Sequence, residues 1–256
     1  MDPSQVEIVL VRPSRPANVA AACRAMKNMG LARLWLVEPK PGLEDPASRA
    51  LAYGAWDVLD SARKASSLVE AVAASRAVVG TTALELPGAW SPRRLAEAAP
   101  RLAGTGALSL VFGPEATGLT VAERDLCHRL VRIPTDAAQP SLNLAQAVLL
   151  LAYELRLAIL SAPARAAGEG GGEPRASAGE VEQAVGELRT ALIEIGYLDA
   201  QNPDRILSEL RRLLTRARPT PREVVLLRGL AHQVAWAGRV AHGRGGPDNP
   251  GGLIGR

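Results

Sequence analysis

The chain has 256 residues, 47% of them hydrophobic, so it can bury a sizeable core as one large domain or as one domain with an appendage. No apolar run is expected to reach membrane-spanning length, and the amino terminus shows no signal-peptide pattern. Two cysteines form no disulfide framework, which favours a reducing, cytoplasmic compartment, and three widely separated histidines lack the spacing of zinc ligands.

The net charge is +4 and the sequence pI is about 9.5. Arginine outnumbers lysine heavily, since lysine occurs only at positions 27, 40 and 64. A base-composition bias of the genome would explain this excess. It also suits phosphate recognition, because the guanidinium fork pairs bidentately with phosphate oxygens. The distribution of the charge is therefore more informative than its sum.

Short apolar runs alternate with helical segments over the first 160 residues. The predicted strands are residues 6–11, 34–37, 77–80, 108–112 and 130–133. The predicted helices are residues 17–29, 66–74, 92–99, 120–126 and 144–160. Gly30 is expected to end the first helix, and Thr120 with Glu123 forms a capping box. This alternation is typical of a parallel α/β sheet.

A different composition begins after this region. Residues 161–179 are small, polar and glycine-rich, which predicts a flexible linker. Apolar residues then recur at helical spacing, so we expect a helical extension over residues 180–242, followed by a disordered tail over 243–256. The arginines of the extension cluster, and they are Arg205, Arg211, Arg212, Arg216, Arg218, Arg222 and Arg228. The cluster is either a solvated helix face or a footprint for a nucleic-acid backbone.

Two segments pass from a strand-like run through small and polar residues into an apolar run. They are LVFGPEATGLT at residues 110–120 and IPTDAAQPSLNLAQAVLLL at residues 133–151. Open α/β sheets bind ligands at such breaks, beyond the carboxyl ends of strands. The sequence has neither the glycine fingerprint of a dinucleotide site nor a P-loop. No nucleophile stands beside a base, so the loops are expected to hold a preformed reactive molecule.

Three segments together resemble a known family. NVAAACRAMKNMG at residues 18–30 and the two loops above resemble, in order and spacing, the three motifs of the SPOUT (TrmH/SpoU) RNA 2′-O-ribose methyltransferases. FGPE-x-x-GL followed by IP and SLNLA-x-A is not a generic Rossmann pattern. LRRLLTRARPTPREVVLLRG at residues 210–229 is similar to the helical extension of the TrmJ subfamily.

The resemblance implies a SPOUT methyltransferase domain over residues 1–160. Its fold would be α/β, a parallel sheet with helices on both faces and a carboxyl-terminal trefoil knot, followed by the small all-helical extension. A homodimer is implied, in which Asn18 and Arg24 of one subunit lie near the cofactor cleft of the other. The implied activity is S-adenosylmethionine-dependent 2′-O-methylation of tRNA, at cytidine or uridine 32 of the anticodon loop, in the cytoplasm and without metal or membrane.

The matched motif positions imply the site residues. Those expected to bind the cofactor are Thr81, Thr82, Ala83, Gly113, Glu115, Gly118, Ile133, Pro140, Ser141, Leu142 and Asn143. Glu115 is alternatively a structural carboxylate. The residues expected to contact RNA are Arg24, Arg205, Arg211, Arg212, Arg216 and Arg218.

Four residues are expected to be catalytic. Arg24, always protonated, would clamp the phosphate beside the target ribose and stabilise the hydroxyl as it loses its proton. Ser141 and Asn143 would hydrogen-bond near that hydroxyl. Asn18 would orient the target or cap the helix that carries Arg24.

Two alternative functions stay open. One is a ribosomal RNA 2′-O-methyltransferase, and the other is a non-catalytic RNA-binding homologue. The helical extension argues against the first, and the intact Asn18, Arg24, Ser141 and Asn143 argue against the second. Pro114 stands where many TrmJ-type sequences carry arginine, which leaves the substrate detail open.

Overall fold

The computed structural model describes residues 1–42, 49–161, 173–199 and 201–241. The chain forms two compact units, Met1–Gly172 and Glu173–Arg256. The predicted tail, residues 243–256, lies outside the described residues, and so do residues 162–172 of the predicted linker.

The first unit is built on a sheet of six parallel strands in the order β3-β2-β1-β5-β4-β6. The strands are β1 (Val6–Val11), β2 (Arg33–Val37), β3 (Arg63–Ala65), β4 (Ser75–Thr81), β5 (Ala107–Phe112) and β6 (Arg129–Val131). Every residue of β1 is buried, so both faces of the sheet are covered there. The predicted parallel α/β sheet is confirmed, whereas the trefoil knot stays a prediction.

Strand β3 was not predicted. Two of its three residues, Arg63 and Lys64, are exposed, because β3 lies at one edge of the sheet beside β2 alone. An edge strand does not require an apolar run, so hydrophobic periodicity does not detect it.

Six helices of this unit have described bounds. They are α1 (Pro16–Asn28), α2 (Trp56–Asp60), α3 (Leu68–Val72), α4 (Pro92–Ala103), α5 (Val121–Asp125) and α6 (Leu144–Ser161). Gly30 follows α1 with a φ of 79°, as expected of a residue that ends a helix. Helix α4 runs past its predicted end and contains Pro100, and the burial of Leu102 and Ala103 stabilises this last turn.

The alternative expectation, that Asn18 caps α1, is wrong. Arg15 occupies the N-cap position, without a side-chain hydrogen bond, and Asn18 lies at the third helical position. Pro16 is the reason, because its fixed φ and missing N–H suit the first helical position and start the helix before Asn18. The side chain of Asn18 is therefore free for a different partner.

Helix α6 corrects the expectation about membrane-spanning length. It has the length and composition of a helix that could cross a membrane. In the structure it packs against α1 and α4. Its buried face consists of Leu144, Val148, Leu151, Ala152 and Leu155. The apolar run thus supplies core packing, and its other face still exposes Leu149, Leu150 and Tyr153.

The second unit consists of α7 (Ala178–Glu194), α8 (Asp204–Ala217) and α9 (Pro221–Ala241). Helix α7 packs against both α8 and α9. Ser177 and Glu180 form a capping box that starts α7 two residues before the predicted helical extension. The core contains Val181, Val185, Leu207, Leu214 and Val224. The predicted helical part is confirmed.

Candidate functional site

The loops that follow β4, β5 and β6 enclose a cavity of about 290 Å³ at the carboxyl ends of these strands. Its apolar lining includes Phe112, Leu119, Val131, Leu144 and Ala147. The hydroxyl-bearing residues Thr81, Thr82, Thr135 and Ser141 also line it. A concave apolar site with a few polar groups is typical of small-molecule binding, and the carboxyl edge of the sheet is its expected location.

Ten of the eleven predicted cofactor-binding residues line this cavity. They are Thr81, Thr82, Ala83, Gly113, Glu115, Gly118, Ile133, Pro140, Ser141 and Leu142. Asn143 is exposed and is not among the lining residues. The structure thus brings together residues from three separate loops, and whether they bind a cofactor stays a prediction.

The sequence prediction missed several lining residues. Most of them adjoin predicted positions or belong to the same loops, and they are Leu84, Phe112, Pro114, Ala116, Thr117, Leu119, Thr135 and Leu144, whereas Val131 lies on β6 and Ala147 on α6. Arg124 is different, since it comes from α5 and its Nη1 donates to the Leu119 carbonyl at 2.7 Å. No motif marks Arg124, because an arginine on a short helix is indistinguishable in sequence from a solvated one.

The second loop is tight because of two glycines. A Cβ atom on Gly113 would overlap the backbone of Gly118 and Leu119, so only glycine permits this close approach. Gly118 has a φ of 64°, and its N–H donates to the Pro114 carbonyl at 2.8 Å. The loop therefore folds back on itself and presents its backbone to the cavity.

Internal hydrogen bonds shape the third loop. Thr135 Oγ1 donates to the Pro140 carbonyl at 3.0 Å. Asn143 Oδ1 accepts from the backbone N–H of Ala145 at 2.9 Å, and the Asn143 N–H donates to Gln146 Oε1 at 3.2 Å. Asn143 thus stabilises the start of α6.

Glu115 connects all three motifs through one hydrogen-bond network. Its Oε1 accepts from Asn18 Nδ2 at 2.6 Å, and its Oε2 accepts from Ser14 Oγ at 3.0 Å. Asn18 Oδ1 in turn accepts from Asn143 Nδ2 at 3.0 Å. Asn18 is thus held by loops of its own chain.

The pKa of Glu115 lies below its ordinary value. Burial raises this pKa, but the hydrogen bonds from Asn18 and Ser14 outweigh burial and lower it. Glu115 is therefore a carboxylate at neutral pH and acts as an acceptor only.

Arg24 is exposed on α1 and does not line the cavity of its own chain. Its guanidinium forms no ion pair with a carboxylate among the described residues. The neighbouring Cys23 is fully buried, and burial raises the pKa of its thiol to about 12. Cys23 is therefore not a nucleophile at neutral pH.

A second arginine, Arg12, contacts the helix that follows the second loop. It follows β1 with a φ of 44°, and its two terminal nitrogens donate to the two carboxylate oxygens of Glu123 at 2.5 and 3.0 Å. Glu123 also accepts from the backbone N–H of Thr120 at 2.7 Å. Arg12 thus ties the end of β1 to α5, directly after the second loop.

The predicted arginine cluster of the helical unit divides into two groups. Arg211 Nε donates to Glu182 Oε1 at 2.8 Å, and Arg228 Nε donates to the carboxylate of Glu187 at 2.9 and 3.0 Å. Arg218 is half-buried at the end of α8. Arg205, Arg212, Arg216 and Arg222 are exposed. Arg211 and Arg228 thus serve the packing of the unit at least in part.

No metal-binding group was found in the part of the chain that the structure describes. Within residues 1–42, 49–161, 173–199 and 201–241, no three His, Cys, Asp or Glu side chains come close enough to hold an ion. The apolar and hydroxyl groups that line the cavity suit an organic ligand.

Comparison with known proteins covers both units. Residues 5–153 match the model of the SpoU rRNA Methylase family, and residues 179–244 match that of the tRNA methyltransferase TrmJ, C-terminal domain. The chain is 38% identical over 231 residues to the tRNA (cytidine/uridine-2′-O-)-methyltransferase TrmJ of Salmonella typhimurium, which covers 88% of this chain and 94% of that protein.

Two further relatives extend this similarity. The tRNA (cytidine/uridine/adenosine-2′-O-)-methyltransferase TrmJ of Pseudomonas aeruginosa is 39% identical over 237 residues, covering 88% of this chain and 92% of that protein. The crystal structure of TrmJ from Z. mobilis superposes with a TM-score of 0.77 at 33% identity, covering 88% of this chain and 97% of that one.

Proposed function

The chain belongs to the SpoU methylase family, and on this premise we propose that it transfers a methyl group from S-adenosylmethionine to a ribose 2′-hydroxyl of tRNA. One observation carries the proposal. The loops of the second and third family motifs, together with the loop after β4, line a single cavity, in a chain that also matches the TrmJ carboxyl-terminal domain. The names of the Salmonella and Pseudomonas relatives support tRNA as the substrate.

The cavity fits S-adenosylmethionine as a ligand. Phe112 and Leu144 offer apolar contacts for the adenine ring, and Thr81 and Ser141 offer hydroxyls for its polar groups. Because Gly113 has no Cβ atom, the second loop can fold tightly. Its backbone groups are then exposed to a ligand. When bound, the cofactor supplies an electrophilic methyl group, and the protein has to supply position and electrostatics.

The network around Glu115 is suited to positioning. Its carboxylate fixes the Asn18 amide, and Asn18 fixes the Asn143 amide in turn. We assign Asn18 and Asn143 to orienting the target ribose, and Ser141 to hydrogen bonding near the hydroxyl. Because three side chains restrain one another, each loses little further rotamer freedom when RNA binds.

Arg24 is assigned to the RNA phosphate beside the target ribose. Its guanidinium is permanently charged, so it can stabilise the oxygen that develops negative charge but cannot accept the proton. Its exposure and the absence of a carboxylate partner among the described residues leave it open to an anion.

A homodimer is part of the proposal. Arg24 lies outside the cavity of its own chain, so a second subunit would have to bring it to a cavity. Leu149, Leu150 and Tyr153 form an exposed apolar surface on α6 that a second copy could cover. We propose a cytoplasmic enzyme that acts without a metal ion or a membrane.

Nucleotide 32 of the anticodon loop, as cytidine or uridine, is the proposed target. Purified protein, S-adenosylmethionine and an unmodified tRNA transcript should yield one ribose methylation at nucleotide 32, detected by mass spectrometry of nuclease fragments. A transcript with 2′-deoxyribose at nucleotide 32 should accept no methyl group, and one with 2′-deoxyribose at nucleotide 34 should react normally.

A parallel reaction with ribosomal RNA as the substrate separates the alternatives. Methylation of ribosomal RNA but not of tRNA would replace the proposed substrate. Methylation at nucleotide 34 would overturn the position only. Absence of methylation on both RNAs, with S-adenosylmethionine binding intact, would overturn the enzymatic proposal.

A further inference from the structure

Two guanidinium groups lie over one tryptophan at the β6 edge of the sheet. The Cζ atoms of Arg94 and Arg129 lie 4.8 and 5.3 Å from the centroid of the Trp90 ring. They are therefore at most about 10 Å apart, although they come from α4 and β6. Trp90 thus contacts one guanidinium group from α4 and one from β6, which places two positive charges close together on the surface.

The backbone of Trp90 is held in place by two hydrogen bonds. The Trp90 N–H donates to the Leu130 carbonyl at 2.9 Å, and the Arg132 N–H donates to the Trp90 carbonyl at 3.0 Å. These two hydrogen bonds attach the residue to the end of β6. The backbone of Trp90 is therefore held by the sheet and not by a free loop.

The charge at this place is not neutralised within the described part of the chain. Arg94, Arg129 and Arg132 form no ion pair there, whereas the adjacent Arg93 pairs with Glu154 at 3.4 Å. Like charges gathered without a counter-charge repel one another, and an anion that contacts both would relieve the repulsion.

The same surface adjoins the cavity. Arg132 stands between Val131 and Ile133, which both line the cavity, and its Nε donates to the carbonyl of the lining residue Ala83 at 3.4 Å. A polyanion bound across Arg94 and Arg129 would therefore pass the cavity on its β6 side.

We propose that Arg94 and Arg129, ordered by Trp90, form a docking surface for phosphates of the tRNA backbone. The proposal rests on the proposed function and adds a substrate contact in the α/β unit, separate from the arginines of the helical unit. Guanidinium groups pair with phosphate oxygens in a fixed fork, and such contacts position a nucleic acid without reading its sequence.

The chain offers a matched control at the opposite edge of the sheet. Arg63 on β3 lies over Trp35, with its Cζ 5.4 Å from the ring centroid. Strands β3 and β6 are the two edges of the sheet, so the same type of contact occurs far from the cavity. An Arg63→Gln variant removes the same kind of charge without touching the proposed surface.

The test compares full-length wild-type protein, Arg94→Gln/Arg129→Gln, Arg94→Lys/Arg129→Lys and Arg63→Gln. Dissociation constants for a tRNA transcript are measured by fluorescence anisotropy over a range of salt concentrations, together with S-adenosylmethionine binding and single-turnover methylation at saturating tRNA. The glutamine pair should raise Kd roughly tenfold and reduce the slope of log K against log salt by about 1–2, since each phosphate that a cation neutralises contributes about 0.7–0.9 to that slope.

The remaining measurements distinguish docking from folding. The lysine pair should keep most of the salt slope, Arg63→Gln should match wild type, and all variants should keep wild-type cofactor binding. An unchanged Kd and slope in the glutamine pair, while wild type methylates tRNA, would overturn the docking surface alone. Equal loss of cofactor binding and tRNA binding in both pairs would identify a structural role and also overturn it. Wild-type protein that neither binds nor methylates tRNA would overturn the proposed function and this inference together.

Discussion

The paired arginines of the helical unit can be compared with the open arginines of the α/β unit, although each unit contains both kinds. In the helical unit, Arg211 and Arg228 each pair with a glutamate of α7, so they tie α8 and α9 to it. In the α/β unit, Arg24 and Arg94 are exposed and pair with no described carboxylate. The difference shows that clustering along the sequence does not identify the arginines that are open to an anion. These arginines are identified by whether a carboxylate lies within ion-pairing distance of the guanidinium group.

Arg24 provides the largest expected effect. If it stabilises the developing oxyanion, Arg24→Ala should lower the single-turnover methylation rate by roughly 10²–10³ and leave cofactor affinity unchanged. Arg24→Lys should also lose rate, since it keeps the charge but not the bidentate fork. Arg101→Ala, an exposed arginine of α4, is the control and should react like wild type. A wild-type methylation rate in Arg24→Ala would contradict the assignment of Arg24 to the developing oxyanion. Loss of both thermal stability and cofactor binding would show instead that Arg24 is a structural residue.

The exposed arginines of the helical unit should affect binding more than chemistry. Arg205→Gln/Arg212→Gln/Arg216→Gln should weaken tRNA binding by roughly tenfold and lower the salt slope by about 0.7–0.9 for each phosphate that is no longer neutralised. The single-turnover rate at saturating tRNA should stay at the wild-type value. Anisotropy titrations at several salt concentrations check this, and an unchanged slope would mean that the exposed group is only a solvated helix face.

The smallest expected effect separates two sequence neighbours. Arg211→Ala should lower the stability of the helical unit by about 1 kcal/mol or less, because it breaks a partly buried ion pair with Glu182. Arg212→Ala, exposed beside it, should stay within about 0.5 kcal/mol of wild type. Hydrogen exchange of the α8 amides measures both variants. Equal protection in the two would contradict the division of the cluster into paired and open arginines.

Much of the α/β unit could be predicted because the signals are local. Apolar runs and helix caps depend on residues a few positions apart, so strand β1 and the start of α5 match their predicted positions closely. The cavity-lining loops were predictable for the same reason, since the motif residues follow directly after strands. Strand β3 was not predictable, because a polar edge strand carries no hydrophobic period.

The role of Asn143 shows where motif matching ends. Asn143 is predicted to bind cofactor and to be catalytic, and both stay predictions; the structure shows that its side chain accepts from the N–H of Ala145 at the start of α6 and donates to Asn18. An asparagine that caps a helix and an asparagine that binds a ligand cannot be distinguished in the sequence. Only the direction of the side chain distinguishes them.

The sequence by itself determined most strands and helices of the α/β unit along the chain and the loops that carry the family motifs, but not the edge strand β3. The tertiary structure alone decided which side chains meet. Asn18 and Glu115 are 97 residues apart, and Arg12 and Glu123 are 111 apart. These pairs exist because parallel strands bring their carboxyl ends to one edge of the sheet, where loops distant in sequence converge. A hydrogen bond between such residues depends on that packing, and no local pattern encodes it.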